Sequence, residues 1–397
     1  MAQLPDILPY RSFVDGGEVD LRGDGLMVGY ELTGPSPETC SETQVASRSQ
    51  QLADAFRHLD TGDSVHVIYH RLPASVPPLD SFSTQAAALV NQEQRVQFEQ
   101  EGHWLTPTRL YLAHHYEAPT KGLLQALLVS HDGISRHRHR EVLRERALLR
   151  FQAFNDAASS GIGLKRLPNE QMFRDLLLTV THHEYPASLP TDDVSLNEII
   201  GCERLTGGRY PYTNGWHLRP VCITAYPTFT VPQLLAILLT QPGRMLISAR
   251  FICYSAYDAQ QLLRKQRQHW NREIIGSLLK VLKQWFTKET KVDADAQAQI
   301  DNIDAAIAAC AGGLSFGHAT ITCIVCDADN DRCTARAHEI VKQCHAHGMM
   351  ARIEDVNAAE AIMGSWPGNV QHNIRRPIIS GANFADVVLP ATRWMGC

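Results

Sequence analysis

Residues 361–397 read AIMGSWPGNVQHNIRRPIISGANFADVVLPATRWMGC, and we call this stretch the signature segment. Because proline fixes φ and glycine frees it, the dipeptide Pro367-Gly368 predicts a tight turn. Trp366 precedes that turn, and the paired arginines Arg375-Arg376 follow it. A large aromatic side chain, turn residues and two cations in one window indicate a shaped recognition segment, not a plain helix or strand.

The length and composition of the chain limit the possible classes of protein. A chain of 397 residues is long enough for two or three structural units. It holds 37 Lys and Arg against 42 Asp and Glu, and this balance disfavours a protein that coats nucleic acid through overall positive charge. Ten cysteines without a regular spacing predict reduced thiols in a cytosol. The longest apolar runs are about half the roughly 20 residues of a membrane-spanning helix, and the N-terminus shows no secretory signal.

Hydrophobic spacing predicts strands and helices in an alternating order in the first part of the chain. The order strand, helix, strand, strand is the beginning of a ferredoxin-like split βαβ unit. We expect strands at Leu26–Leu32, Ser64–Arg71 and Arg109–Tyr116, and helices at Ser41–Leu59 and near Thr84–Glu101.

A second block repeats this pattern after a helical region. It predicts strands at 218–226, 245–254, 315–326 and 349–353, with a long antiparallel helical hairpin over 256–311. The fold class expected is therefore α+β, made of ferredoxin-like split βαβ units with inserted helical hairpins. The expected domains are an N-terminal α+β subdomain (1–120), a helical connecting region (121–200), a second α+β subdomain (201–360) and the signature segment (361–397).

The signature segment resembles the TrbE/CagE-type ATPases of type IV secretion and conjugation. The resemblance rests on a Ser-x-Pro-Gly-Asn pattern, then Asn-x-Arg, Asn-hydrophobic-Ala-Asp, a proline and Trp-x-Gly. Shorter matches in the family's order extend it over nearly the whole chain. The matching residues are Ser365 to Asn369, Asn373 to Arg375, Asn383 to Asp386, Pro390, Trp394 to Gly396, Leu8 to Tyr10, Gly23 to Gly25, Leu110 to Leu112, Tyr226-Pro227, Arg250 to Ile252, Ala259 to Trp270 and Phe316-Gly317.

This resemblance implies the N-terminal assembly region of a conjugal transfer ATPase that energises pilus assembly and DNA or protein export. In the family, the signature segment comes just before a RecA-like motor domain. The implied place is cytoplasmic and peripheral to the bacterial inner membrane. The implied partners are inner-membrane components of the secretion system, other copies of the chain and the motor domain, while direct nucleic-acid binding is disfavoured.

A phosphate-binding loop would need Gly-x4-Gly-Lys-Ser/Thr between a strand and a helix. The nearest match, Gly312–Ala319, has His318 in place of the lysine and runs from a predicted helix into a predicted strand. We interpret it as a turn. The chain is therefore predicted to be inactive alone and to hold no cofactor, with ATP and magnesium expected only in the motor.

Clusters of Cys and His raise an alternative hypothesis, a stand-alone metal-dependent hydrolase. Cys323 and Cys326 have the spacing of a zinc pair, but they lie in a predicted strand, where residues three apart point to opposite faces. Packed thiols are the favoured interpretation. Asp327–Asp331 begins like a calcium loop but lacks the required glycine and glutamate, so a turn that caps the next helix is favoured. Stoichiometric zinc in purified protein would support the hydrolase.

Two helices are rich in cations. The first covers Arg136–Ala158, and the second carries a set predicted to contact anionic lipid or an acidic partner. The alternative is that both helices pack on the core and turn solvated charges outward. The predicted contact residues are Arg264, Lys265, Arg267, Arg272, Lys280 and Lys283.

The signature segment also carries a predicted interface with the motor. Gly368 is expected at φ > 0, with Asn369 and Asn373 holding the turn by hydrogen bonds to backbone. Arg375 or Arg376 would meet an acidic group on the motor or on a neighbouring subunit; the alternative is a local bend with both arginines in water. If the interface hypothesis holds, replacing both by alanine should leave the melting temperature of this chain nearly unchanged. The interface residues are Trp366, Pro367, Gly368, Asn369, Asn373, Arg375 and Arg376.

Overall fold

An antiparallel sheet runs through the whole described structure. This computed structural model describes residues 3–14, 16–36, 38–74, 84–101, 103–116, 133–189, 194–227, 229–268, 294–372 and 374–391. The strands are β1 (Tyr10–Val14), β2 (Glu18–Leu21), β3 (Gly25–Thr33), β4 (Asp63–Pro73), β5 (Trp104–Leu105), β6 (Thr108–His115), β7 (Gly163–Arg166), β8 (Leu205–Thr206), β9 (Tyr212–Thr213), β10 (Trp216–Ala225), β11 (Met245–Tyr254), β12 (Phe316–Asp327), β13 (Met350–Ile353) and β14 (Ile378–Ser380).

Helices lie on both faces of the sheet. They are α1 (Leu4–Ile7), α2 (Glu42–Ala55), α3 (Gln85–Glu101), α4 (Gly133–Ala158), α5 (Asn169–Thr181), α6 (Leu196–Ile200), α7 (256–268), α8 (Ala294–Ala311), α9 (Asn330–Ala346), α10 (Ala358–Met363) and α11 (Gly381–Val388). Two 3-10 helices cover Phe56–His58 and Leu234–Thr240.

The sheet contains two ferredoxin-like units. Unit 1 follows the order β3-α2-β4-β6-α4-β7 along the chain, and its strands pair in the order β7-β3-β6-β4. Unit 2 runs β10, the second 3-10 helix, β11, β12, α9 and β13, and its strands pair as β13-β10-β12-β11. Each unit thus has the split βαβ arrangement in which the last strand lies beside the first. The α7–α8 hairpin is inserted between β11 and β12, and these elements confirm the expected α+β class.

The two units meet edge to edge along β4 and β11, and we call this pair the seam. The seam is an antiparallel ladder from Ser64 opposite Ile252 to Arg71 opposite Met245. Backbone hydrogen bonds therefore continue from one unit into the other. The seam residues alternate between the two faces of the sheet, as the pleat of a strand requires.

A separate apolar core lies on each face of the sheet. The core on the α2/α4 face also receives α9 and α11, and it includes Val65 and Val67 of the seam. The core on the opposite face, the α5 face, includes Ile68 of the seam and Trp366 of the signature segment. Both cores take residues from both units, so burial as well as strand pairing joins the units.

Several expectations needed correction. Unit 1 extends to Arg166, because α4 and β7 complete it, so the boundary expected at residue 120 falls inside this unit. Two strands before residue 25, β1 and β2, are not among the expected strands. The helix α11 was not expected at all. Of the hairpin expected over 256–311, residues 256–268 and 294–311 are helical, and residues 269–293 lie outside the described residues.

The local predictions about the thiols and turns are confirmed. Cys323 packs in the core of the α2/α4 face and Cys326 in that of the α5 face. The segment Gly312–Ala319 leaves α8 through a turn and enters β12, so it has the helix-to-strand direction. Asp329 caps α9, its carboxylate accepting the backbone N–H of Arg332 at 2.7 Å.

Candidate functional site

The first part of the signature segment is packed into the α5 face of the sheet. Residues 364–369 are all buried, and Trp366 is 0% exposed. The indole lies in the core of that face together with Leu21 of β2 and Met27 of unit 1. Trp366 to Asn369 therefore contribute to this fold through packing, and in this arrangement they do not reach the surface.

Gly368 has φ of 76°, which confirms the predicted left-handed turn. Its Cα lies against β2 and unit 1, since a Cβ here would come within 3.1 Å of a Leu21 methyl carbon and 3.3 Å of the Met27 sulfur. Asn369 then holds the turn as predicted, its Oδ1 accepting the N–H groups of Gln371 at 3.2 Å and His372 at 3.3 Å.

Arg250 of β11 binds the backbone of the signature segment and holds it to the sheet. Its side chain is 0% exposed and donates to three backbone carbonyls, of Gly364 at 3.1 Å, His372 at 3.0 Å and Asn369. Burial, together with the nearby positive charge of Arg376, lowers the pKa of Arg250 to about 10. The guanidinium nevertheless stays charged at neutral pH, so three carbonyl dipoles solvate a buried cation.

Further hydrogen bonds fasten the segment to both units. Ser248 and Thr320 of unit 2 donate through their hydroxyls to the carbonyls of Ser365 at 2.9 Å and Arg375 at 2.9 Å. His66 of unit 1 accepts the N–H of Gly368 at its Nε2, over 3.3 Å. The segment thus covers the seam on this face.

Arg375 has an acidic partner within the chain. Its Nε and Nη2 donate to Oε1 of Glu354 at 2.9 and 2.6 Å, and Glu354 is 1% exposed. Removing Arg375 would leave a buried carboxylate without this partner, which is costly. We therefore revise the expectation of an unchanged melting temperature: Arg375→Ala should lower it. The coupling of the signature segment to the motor stays a prediction. Among the predicted interface residues that the structure describes, Arg376 is exposed. Asn373 lies outside the described residues.

The predicted contact helix is described only near its start. Arg264, Lys265 and Arg267 are exposed on α7, and Arg267 pairs with Asp304 of α8 at 2.7 Å. Both residues of that pair are about half exposed, so the ion pair adds little stability. Arg272, Lys280 and Lys283 lie outside the described residues.

Two arginines of the other arginine-rich helix, α4, pair with carboxylates of β2 and of unit 1. Arg144 pairs with Glu18 at 2.9 Å, and Arg150 forms two hydrogen bonds with the buried Asp63 at 2.7 and 2.9 Å. Hydrogen bonds from His114 and Arg150 lower the pKa of Asp63, against the burial that raises it. These arginines hold α4 on the sheet.

Sequence reasoning missed Arg250 and Glu354 as residues of this site. One signal was present: Arg250 is a single cation within the otherwise uncharged strand Met245–Tyr254. A charge inside a central strand needs a partner, but the partner here is a set of carbonyls more than 110 residues later.

In the ranges that the structure covers, no three His, Cys, Asp or Glu side chains are grouped so that they could hold a metal ion. The described helices also include none that is long and apolar enough to cross a bilayer.

Two family models match this chain, and each covers much of one unit. The Type IV secretion system ATPase VirB4/TrbE, N-terminal domain, matches residues 19–123, from β2 through β6. The CagE, TrbE, VirB family, component of type IV transporter system, matches residues 219–375, which include most of unit 2 and the turn of the signature segment.

Individual relatives agree with these family models. The chain is 24% identical over 410 residues to the conjugal transfer protein TrbE of Rhizobium radiobacter, covering 98% of this chain and 50% of that protein. In Sinorhizobium fredii, a probable conjugal transfer protein TrbE is described in two pieces. The second piece is 30% identical over 249 residues, 62% of this chain and 37% of its own length. The first piece is 25% identical over 126 residues, 31% of this chain and 85% of its own length.

Both family descriptions name type IV secretion or transporter systems, and the relatives are conjugal transfer proteins. The chain belongs to the TrbE-type family of type IV secretion ATPases. It spans half the length of the Rhizobium radiobacter relative.

Replacing Arg250 tests the anchoring of the signature segment. Arg250→Met leaves the three carbonyls without their donor, and we expect the free energy of unfolding to fall by about 3 kcal/mol. The matched control, Arg264→Met on the exposed face of α7, should change it by less than about 0.5 kcal/mol. Urea denaturation of both variants measures this, and equal stability of the two would contradict the anchoring role.

Buried histidines predict loss of stability in acid. Burial lowers the pKa of His115 and His182 to about 4 and that of His70 to about 3, and it also places the pKa of His66 well below its usual value. The unfolded chain takes up protons below about pH 6.5 and the folded chain does not, so stability is present above that pH and falls as the pH drops toward 4.

Urea denaturation between pH 7.5 and 5 should therefore give a steeply falling free energy of unfolding. His66→Gln removes one titrating group and should make the dependence shallower, by about 1.4 kcal/mol per pH unit near pH 5, where the unfolded imidazole is almost fully protonated. The exposed His338→Gln is the control. The same slope in His66→Gln and wild type would show that His66 is not held neutral.

Proposed function

We propose that this chain is the N-terminal assembly region of a conjugal transfer ATPase that energises pilus assembly and DNA or protein export. The observation that carries the proposal is the match of one family model to much of each unit, with the signature turn fastened across the seam between them. Two units held rigidly side by side suit a platform that positions partners.

In this role the chain performs no nucleotide chemistry itself. The segment most similar to a phosphate-binding loop, Gly312–Ala319, turns from a helix into a strand, whereas phosphate binding uses the N-terminus of a helix that follows the loop. ATP and magnesium belong, on this proposal, to a motor domain in the part of the relatives that this chain does not span. The partners are that motor, other copies of the chain and inner-membrane components of the secretion system.

Membrane association is part of the proposal. The element proposed to contact the membrane is the α7–α8 hairpin. On α7, Arg264 and Lys265 face solvent near the end of the described helix. Each cation near an anionic leaflet contributes about 1 kcal/mol, and salt screens this attraction. The chain would then act at the cytoplasmic surface of the bacterial inner membrane.

The alternative, a stand-alone metal-dependent hydrolase, requires Cys and His side chains that converge on one ion. Cys323 and Cys326 point to opposite faces of β12, which gives that hypothesis no common site. Metal analysis of the purified chain separates the two functions, since stoichiometric zinc would favour the hydrolase.

Titration with nucleotide tests the non-catalytic role. Calorimetric titration of folded residues 1–397 with ATP and magnesium should show no binding heat, because no strand–loop–helix cradle for phosphate is expected in this chain. A melting curve of the same sample serves as the control for folding. A micromolar dissociation constant would require the proposal to be withdrawn.

Vesicle flotation tests the membrane contact. The triple change of Arg264, Lys265 and Arg267 to glutamine should weaken binding to anionic vesicles by about 2 kcal/mol, roughly 30-fold, since Asp304 already engages Arg267. The matched control changes the exposed Arg138, Arg146 and Lys342 to glutamine, with the same loss of charge. Flotation that depends on neither anionic lipid nor salt, or equal loss in both variants, would rule out this contact.

A further inference from the structure

The helix α11 lies on the α2/α4 face, directly over the place where the two units meet. Its Phe384 stacks on Phe251 of β11 in unit 2, with ring centroids 4.9 Å apart. The same ring meets Phe56, at the end of α2 in unit 1, edge-on at 5.6 Å. One buried side chain of α11 therefore contacts both units at once, in the geometry that aromatic pairs prefer.

The polar side of α11 repeats this double contact. Ser49 of α2 donates its hydroxyl to Oδ1 of Asp386 at 2.5 Å, and Thr230, between β10 and β11, donates to Oδ2 at 2.8 Å. The first hydroxyl belongs to unit 1 and the second to unit 2. Hydrogen bonds to a carboxylate are stronger than neutral ones, so a relative shift of the two units would lose a strong bond.

The residues that follow α11 continue the alternation between units. The carbonyl of Val388 accepts the hydroxyl of Tyr69 in unit 1, and that of Pro390 accepts the side-chain amide of Gln233 in unit 2 at 3.2 Å. Gly34, just after β3, lies so close that a Cβ there would be 1.9 Å from the Pro390 oxygen. Residues 388–391 are thus held between the two units as closely as α11 is.

We infer that α11 and residues 389–391 form a lock that fixes the relative orientation of the two ferredoxin-like units, with Asp386 as its positioning residue. The central contact of this lock is a carboxylate that takes one hydroxyl from each unit. A displacement of residues 389–391 acts on both units together, because the same short segment is bound to both. The position of residues 389–391 is therefore coupled to the relative orientation of the two units at the seam.

Ser49→Ala in the full chain tests the lock, because it removes one bond in unit 1 and leaves the aromatic contacts in place. Hydrogen exchange should become about tenfold faster in α2 and also in residues 229–240 of unit 2, while α5 on the opposite face stays unchanged. Ser47→Ala is the matched control, an exposed serine on the same helix, and it should alter neither segment.

Gly34→Ala provides a second test that does not touch Asp386. The added methyl collides with the Pro390 carbonyl and should displace residues 389–391, so the same two segments should exchange about tenfold faster. Faster exchange in α2 alone with Ser49→Ala, or only around residue 34 with Gly34→Ala, would overturn the lock. Faster exchange in both units with either variant supports it.

Discussion

The guanidinium of Arg250 lies in the middle of the sheet with no access to water, and backbone carbonyls of the signature segment surround it. A buried cation is costly unless it is well solvated, so β11 and this segment depend on each other. Without the segment the charge would face an open apolar surface; without the charge three carbonyls would be buried and unpaired. This dependence explains why a segment with so many turn residues lies inside the fold.

The segment passes from one face of the sheet to the other. It covers the seam on the α5 face through Trp366 and Gly368, enters the sheet as β14 beside β12, and reaches the α2/α4 face as α11. Both units are therefore held from both sides by one short stretch of chain. Such a rigid arrangement suits the proposed role of a platform that positions other components of an assembly.

Regular elements were predictable because apolar periodicity determines them. The strand Met245–Tyr254 was expected with the bounds that it has, since it is an almost continuous apolar run, as a strand buried on both faces requires. The bond between Ser49 and Asp386 joins residues 337 apart in sequence, and no local pattern indicates it. The helix α11 was missed because eight residues that start with glycine give a weak helical signal. Arg375 was expected at an interface because the sequence does not distinguish an arginine that faces a partner from one that is paired within the chain.

Native-state hydrogen exchange with increasing denaturant tests most directly whether the segment belongs to the fold. The free energy of opening is compared for amides of β4, β11 and residues 364–369 in the same sample. We predict that all three groups open at the free energy of global unfolding, because Arg250 and Trp366 join them in one cooperative body. Exchange of residues 364–369 at a free energy at least about 3 kcal/mol lower would show that the segment opens as a separate tail, and would contradict its role in holding the two units together.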